Sequence, residues 1–246
     1  VARIHVVANQ KGGVGKSTAA VNLAAVTADV HKPRKDGSRS VLVVSCDPQG
    51  SAPWWADRVG DELPFHFAEA FDADAILGLR HSTDYDDIFI DTPGWFPPAN
   101  PKHPERPWGT TETADILEAV FEVADQVIVP IECEPLCYIP TTNTVEFAIA
   151  PRGLPYTVFV NNWEVRDGFA DRDGTIEFVD AQGWNRAETV VRHYKVHARA
   201  AADGVVVTQY PKNRVSLEAA QDFYRLAMEL GLGAKPRATH TKTKAV

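Results

Sequence analysis

At 246 residues, with 44% hydrophobic and 24% charged side chains, the chain has the make-up of a globular protein large enough for a sizeable α/β core. No apolar run reaches the length of a membrane-spanning helix, no secretory leader pattern stands before the first strand, and three cysteines give no disulfide framework; the expectation is a cytoplasmic protein. The net charge of −8 argues against a uniformly basic binding surface, yet residues 186–246 hold 11 Lys and Arg against 5 Asp and Glu, a basic quarter on an acidic body.

An apolar run at 4–8 reads as a buried strand, and 17–30 carries a helical pattern. Between them stands Asn9-Gln10-Lys11-Gly12-Gly13-Val14-Gly15-Lys16-Ser17-Thr18. Strand, glycine-rich turn and helix start fall in the order of a phosphate cradle: small residues let successive backbone N–H groups point inward, and the helix offers its positive N-terminal end. Lys16 is placed to reach β- and γ-phosphates and the Ser17 hydroxyl to bind Mg²⁺. The strict pattern G-x-x-x-x-G-K-[ST] fails at Gln10, and a second lysine, Lys11, stands inside the loop.

A second buried strand at 41–46 ends in Asp47-Pro48-Gln49-Gly50-Ser51, which puts a carboxylate where ligands bind in open α/β sheets. Trp54 and Trp55 read as packing residues. A third strand, 88–90, runs into Asp91-Thr92-Pro93-Gly94, a carboxylate placed to hold Mg²⁺. Five prolines in 96–109 make that stretch a surface loop. Further strands are expected at 127–131, 157–160 and 205–208, and helices at 111–124, 138–150, 186–201 and 216–231, the last capped by Ser216. The polar stretch 162–185 reads as a long connection with a short strand at 175–179. Cys46 reads as a small core residue; Cys133 and Cys137 lack the second pair that a metal cluster needs. His193 and His197, four apart on the expected helix, lack acidic partners and read as solvent- or DNA-facing.

The alternation predicts a three-layer α/β/α domain with a mostly parallel central sheet over residues 1–234, interrupted by insertions near 96–109 and 162–185, and a basic flexible tail over 235–246.

These segments, in this order, resemble the deviant Walker A P-loop ATPases of the ParA/MinD family. The resemblance rests on the two-lysine loop, on Asp47-Pro48-Gln49-Gly50-Ser51 where the family usually ends in Asn, on Asp91-Thr92-Pro93-Gly94 where it often has Pro, and on Tyr210-Pro211-Lys212-Asn213-Arg214-Val215. It implies Mg²⁺-dependent hydrolysis of ATP to ADP, with slow basal turnover. Gly12, Gly13, Val14, Gly15, Lys16, Ser17 and Thr18 would hold the phosphates. Asp47 would orient the attacking water and, with Ser17 and Asp91, serve the metal. Asn161, Pro211 and Lys212 would meet adenine, and Lys11 would reach the nucleotide of the partner subunit in an ATP-dependent homodimer. It further implies nonspecific DNA binding, through candidates Arg186, Arg192, Lys195, Arg199, Lys212, Arg214 and Arg225, and a ParB-type centromere-binding partner in DNA segregation on the nucleoid. Three readings compete: a MinD-like membrane ATPase, for which 235–246 offers no apolar face; an iron–sulfur reductase, whose cysteine spacing is missing; and a regulator that binds ATP without useful turnover.

Overall fold

The computed structural model describes residues 1–31, 36–47, 51–95, 108 and 112–234. The proline-rich stretch expected at 96–109 and the expected tail at 235–246 fall, Trp108 apart, outside the described residues.

Six parallel strands make one sheet in the order β3-β2-β4-β1-β5-β6. They are β1 (Arg3–Val7), β2 (Val41–Ser45), β3 (His66–Glu69), β4 (Asp87–Asp91), β5 (Gln126–Glu132) and β6 (Tyr156–Asn161). The helices are α1 (Lys16–Val30), α2 (Ser51–Val59), α3 (Ala73–Gly78), α4 (Glu112–Val123), α5 (Tyr138–Asn143), α6 (Ala170–Ala181), α7 (Lys195–Asp203) and α8 (Arg214–Glu229).

Both faces of the sheet are covered, which is why the strands read as continuous apolar runs instead of alternating. Successive side chains still point to opposite layers. Val6, Ile88, Ile90, Val129 and Val160 pack with α4 and Ile149. Val7, Val43, Phe89, Ile128 and Phe159 pack with α1, α7 and α8. Helix α1 lies deep in this second layer, and its run from Ala19 to Thr27 is buried on every side. Four alanines there let the sheet and α8 approach its backbone closely.

Several expectations change on the second half of the chain. Residues 205–208 form turns, not a strand: Val206 and Val207 are buried, and the Val207 N–H donates to Asn22 Oδ1 of α1 at 3.2 Å. The edge they would have paired with is already taken. Residues 185–193 run alongside β6, where Ala187 N donates to Val158 O, Val191 N to Val160 O and His193 N to Trp163 O. The same pairing explains why the helix expected over 186–201 starts only at Lys195. The expected strand at 175–179 is instead part of α6, whose Phe178 stacks on Tyr138 with centroids 4.1 Å apart.

The helix expected over 138–150 divides into α5, a π-helical turn at Thr144–Ile149 and a short 3₁₀ turn. Thr141, Thr142 and Thr144 each donate to the carbonyl four residues back, a bond that bends helices. Ser216 is not the cap of α8 but its third residue; Asn213 is the cap, and the two side chains bond each other's backbone reciprocally. Strand β3 and helices α2 and α3 were not read from the sequence.

Candidate nucleotide site

The site grows from the C-terminal ends of β1, β2, β4 and β6, which bring residues 9–18, Asp47, Asp91 and Asn161 to one rim of the sheet. The loop after β1 turns through Gly13 and Gly15, with φ of 83° and 84°. This left-handed conformation costs glycine little and β-carbon residues more. At Gly15 space forbids a side chain as well: a β-carbon would stand 2.3 Å from Asn161 Nδ2. That amide donates to Val14 O at 2.8 Å, so the end of β6 braces the loop from behind.

Lys16 opens α1 and is buried, its Nζ donating to Lys11 O at 3.0 Å. Burial lowers its proton affinity, opposed by the charges of Asp91 and Asp47. Asp91 is fully buried, and neither carboxylate oxygen holds a well-formed hydrogen bond. Burial pushes its pKa up to about 7; the Ser17 hydroxyl and Lys16 oppose the rise, and Asp47 adds to it. An unpaired buried carboxylate is costly unless a cation meets it. Hard oxygen donors at Ser17, Asp47 and Asp91 are the set that Mg²⁺ favours, so these residues fit the ion.

Two cavities flank the loop and share Gly13, Gly15, Ser17 and Thr18. One of about 620 Å³ also takes in Lys16, Asp47, Gly94 and Trp95. The other, about 780 Å³, extends past Asn161 to Trp54, Arg192, Tyr194 and Lys195. Gly94 is a close-approach position: a β-carbon there would meet Gln10 O at 3.0 Å and Gly12 N at 3.2 Å.

Gln10, where the strict pattern asks for glycine, is 6% exposed and joins the loop to α5. Its N–H donates to Thr144 Oγ1 and its Oε1 accepts from Asn143 Nδ2, both at 2.9 Å. Asn9 Nδ2 adds bonds to Pro130 O and Thr141 Oγ1. The threonine-rich stretch after Pro140 was the only trace of this contact in the sequence. Lys11, half-buried, feels the carboxylate of Glu132, whose own pKa is raised first by burial and then by Glu134.

Other expected site residues lie elsewhere. Pro211 and Lys212 are exposed and line neither cavity. Of the basic candidates, Arg186 is held by Asp180 and Glu188, and Arg192 by Asp222 through two of its nitrogens at 2.8 Å. Both are structural ties. Arg214 pairs with Glu218 while staying 90% exposed. Lys195, Arg199 and Arg225 are exposed and hold no ion pair among the described residues; Lys195 also lines the larger cavity. His193 precedes α7, and His197 turns inward against Phe223, where burial lowers its pKa to about 4. His193 is exposed as expected, though it precedes the helix, and inward-turned His197 does not share that face. The thiols of Cys46 and Cys133 are pushed up to about 12 and 11, chiefly by burial, and are inert at neutral pH.

A parallel sheet with a glycine-rich loop, a buried lysine and two acidic strand ends at one rim defines a P-loop nucleoside triphosphatase. The comparisons narrow the class. The family profile described as CobQ/CobB/MinD/ParA nucleotide binding domain matches residues 5–232. The chain is 33% identical over 234 residues to Maintenance of carboxysome distribution protein A of Gloeobacter kilaueensis, a match that covers 93% of this chain and 94% of that one. A shorter match, 50% over 52 residues, links it to the chromosome partitioning protein ParA of Myxococcus xanthus, over 21% of this chain and 16% of that one. Its fold is similar to that of a Cyanothece McdA variant in complex with ATP, with TM-score 0.67, 13% identity and coverage of 94% and 97%. It is also similar to MinD of Pyrococcus horikoshii with Mg-ADP, with TM-score 0.66, 19% identity and coverage of 94% and 96%.

The chain belongs to the CobQ/CobB/MinD/ParA nucleotide-binding family and is an ATPase of the ParA/MinD type. No helix among the described residues is long and apolar enough to cross a membrane.

Proposed function

We propose that this ATPase is a dimerising switch which, with ATP bound, holds nonspecific DNA and positions a cargo along it. The observation that carries the reading is the second lysine of the loop. Lys11 stands beside a helix, α5, that is bonded to the loop through Gln10 and exposes Leu136 and Ile139 just before and within it, 77% and 75% accessible. Apolar side chains so exposed beside a reactive loop suit an interface that forms only in one nucleotide state.

In this mechanism the loop N–H groups and Lys16 bind the phosphates, and Asp47 orients the attacking water. Lys11 of each subunit reaches the other's nucleotide and neutralises charge developing on the transferred phosphoryl group, as an arginine finger does. Ser17, Asp47 and Asp91 would hold Mg²⁺, which would supply further neutralisation of the phosphate charge. Hydrolysis removes the γ-phosphate that both subunits grip, and the dimer parts.

DNA segregation with a ParB-type partner is one cargo reading. The whole-length relative whose name refers to carboxysome distribution favours a protein assembly as the cargo instead. Either cargo would ride on the nucleoid through phosphate contacts that need no base reading and weaken steeply with salt. Lys195, Arg199, Lys212, Arg214 and Arg225 remain the exposed cations for that contact.

Sedimentation with ATP and Mg²⁺ tests the switch: wild type should run as a dimer, and Lys11→Ala as a monomer that still binds nucleotide. A full dimer from Lys11→Ala would refute the cross-subunit role. Arg199→Glu with Arg225→Glu should release DNA while leaving ATP binding intact; unchanged DNA retention would remove that face.

A further inference from the structure

Adjacent tryptophans on α2 have opposite fates. Trp55 is 4% exposed and its Nε1 donates to Val205 O at 2.9 Å, which fastens the helix. Trp54 is 51% exposed and lines the larger cavity, which also takes in Gly15 and Thr18. The Arg58 guanidinium sits 4.9 Å from its ring centroid, and Arg58 Nε is fixed to Ala202 O at 2.9 Å. An anchored cation thus covers the indole without burying it.

A nucleotide whose phosphates lie on residues 12–18 has two ways to extend, one along each cavity. The smaller holds Lys16, Asp47 and Gly94 and suits the terminal phosphate, so the base enters the larger. The principal polar side chains there are already engaged: Asn161 on Val14 O, Arg192 on Asp222, the Tyr194 hydroxyl on Glu218, and Asn162 on Glu132. Beyond the loop, Lys195 and the ring nitrogens of His197 are the lining polar groups without such a tie, and beside them the cavity offers a base the flat face of Trp54.

We propose that Trp54 is the base-stacking platform of this site, with Arg58 fixed against it. The inference rests on the reading that residues 12–18 bind nucleotide phosphates, and it adds how the rest of the ligand is held. Every base has a π-face, so a site that stacks discriminates weakly between purines.

Calorimetry of wild type, Trp54→Ala and Trp54→Phe with Mg-ADP and with Mg-pyrophosphate tests this. Trp54→Ala should weaken ADP about tenfold to a hundredfold and leave pyrophosphate unchanged, and Trp54→Phe should recover part of the loss. Wild-type tryptophan emission should change on ADP binding, and that change should shrink in Trp54→Phe. Equal ADP affinity in Trp54→Ala and wild type would overturn the proposal. So would parallel loss of ADP and pyrophosphate, which would mark Trp54 as a support of the loop. Wild type that binds neither ligand would refute the phosphate reading, and the stacking proposal with it.

Discussion

Single residues at this site trade fold stability for chemistry. Asp91 is the plainest case: a fully buried carboxylate with no well-formed hydrogen bond, raised to about 7 by its burial. A folded chain gains little from such a group while only the Ser17 hydroxyl and the Lys16 charge offset its burial. Asp91→Asn should therefore raise the stability of the nucleotide-free protein by about 1 kcal/mol in urea unfolding and abolish Mg²⁺-dependent phosphate release. Lower stability in that variant would show that Asp91 supports the fold by way of Lys16. The loop, Asp47 and Asp91 could be found in the sequence because phosphate and metal chemistry demands fixed residue types at strand ends. Trp54 could not, since exposure is a tertiary property and α2 was not itself anticipated.

Among the elements, α5 and the π-helical turn after it link the loop to the surface. Gln10 bonds Thr144 and Asn143, and its carbonyl accepts from Trp95 N at 3.1 Å, so three segments meet on one residue. Gln10→Ala should keep nucleotide affinity within about threefold of wild type, since the loop amides remain, but weaken ATP-driven dimerisation at least about tenfold in sedimentation. An interaction removed from between two coupled elements appears in their coupling energy. Retained dimerisation would make Gln10 a mere filler. The elements also show where pattern reading fails. Val205-Val206-Val207 has the composition of a central strand, yet residues 185–193 occupy the β6 edge first, and the valines plug the layer against α1. Composition records that a segment is buried; which partner it finds depends on competition along the chain. The five strands read correctly are those whose partners had no rival.

On the scale of the whole molecule, the end of the sheet opposite the loop is closed by Asp87. Fully buried, it accepts from Arg3 at 2.8 Å and from His5 and His31, each at 2.7 Å, joining β1, β4 and the end of α1. Its burial opposes ionisation, but hydrogen bonds from His31 and His5 and the charges of His5 and Arg3 win, and its pKa falls well below the carboxylate range. A depressed folded-state pKa gives stability that is present above the unfolded value near 4 and is lost only as pH falls toward the folded one. Asp87→Asn should cost about 3 kcal/mol at pH 7, and its gap from wild type should hold down to about pH 4 and narrow only below it. A gap that closes already between pH 7 and 5 would refute an Asp87 held ionised by these partners.

The covered edge of β6 has a different consequence. Residues 185–193 satisfy its outer backbone groups, while the opposite edge, β3, is four residues long and ends on exposed Glu69. Neither side of the sheet is a template for a stray strand. In the proposed switch, a chain that joins and leaves its own copies many times would thereby avoid sticking edge to edge, and self-association would be left to the rim where the nucleotide can dissolve it.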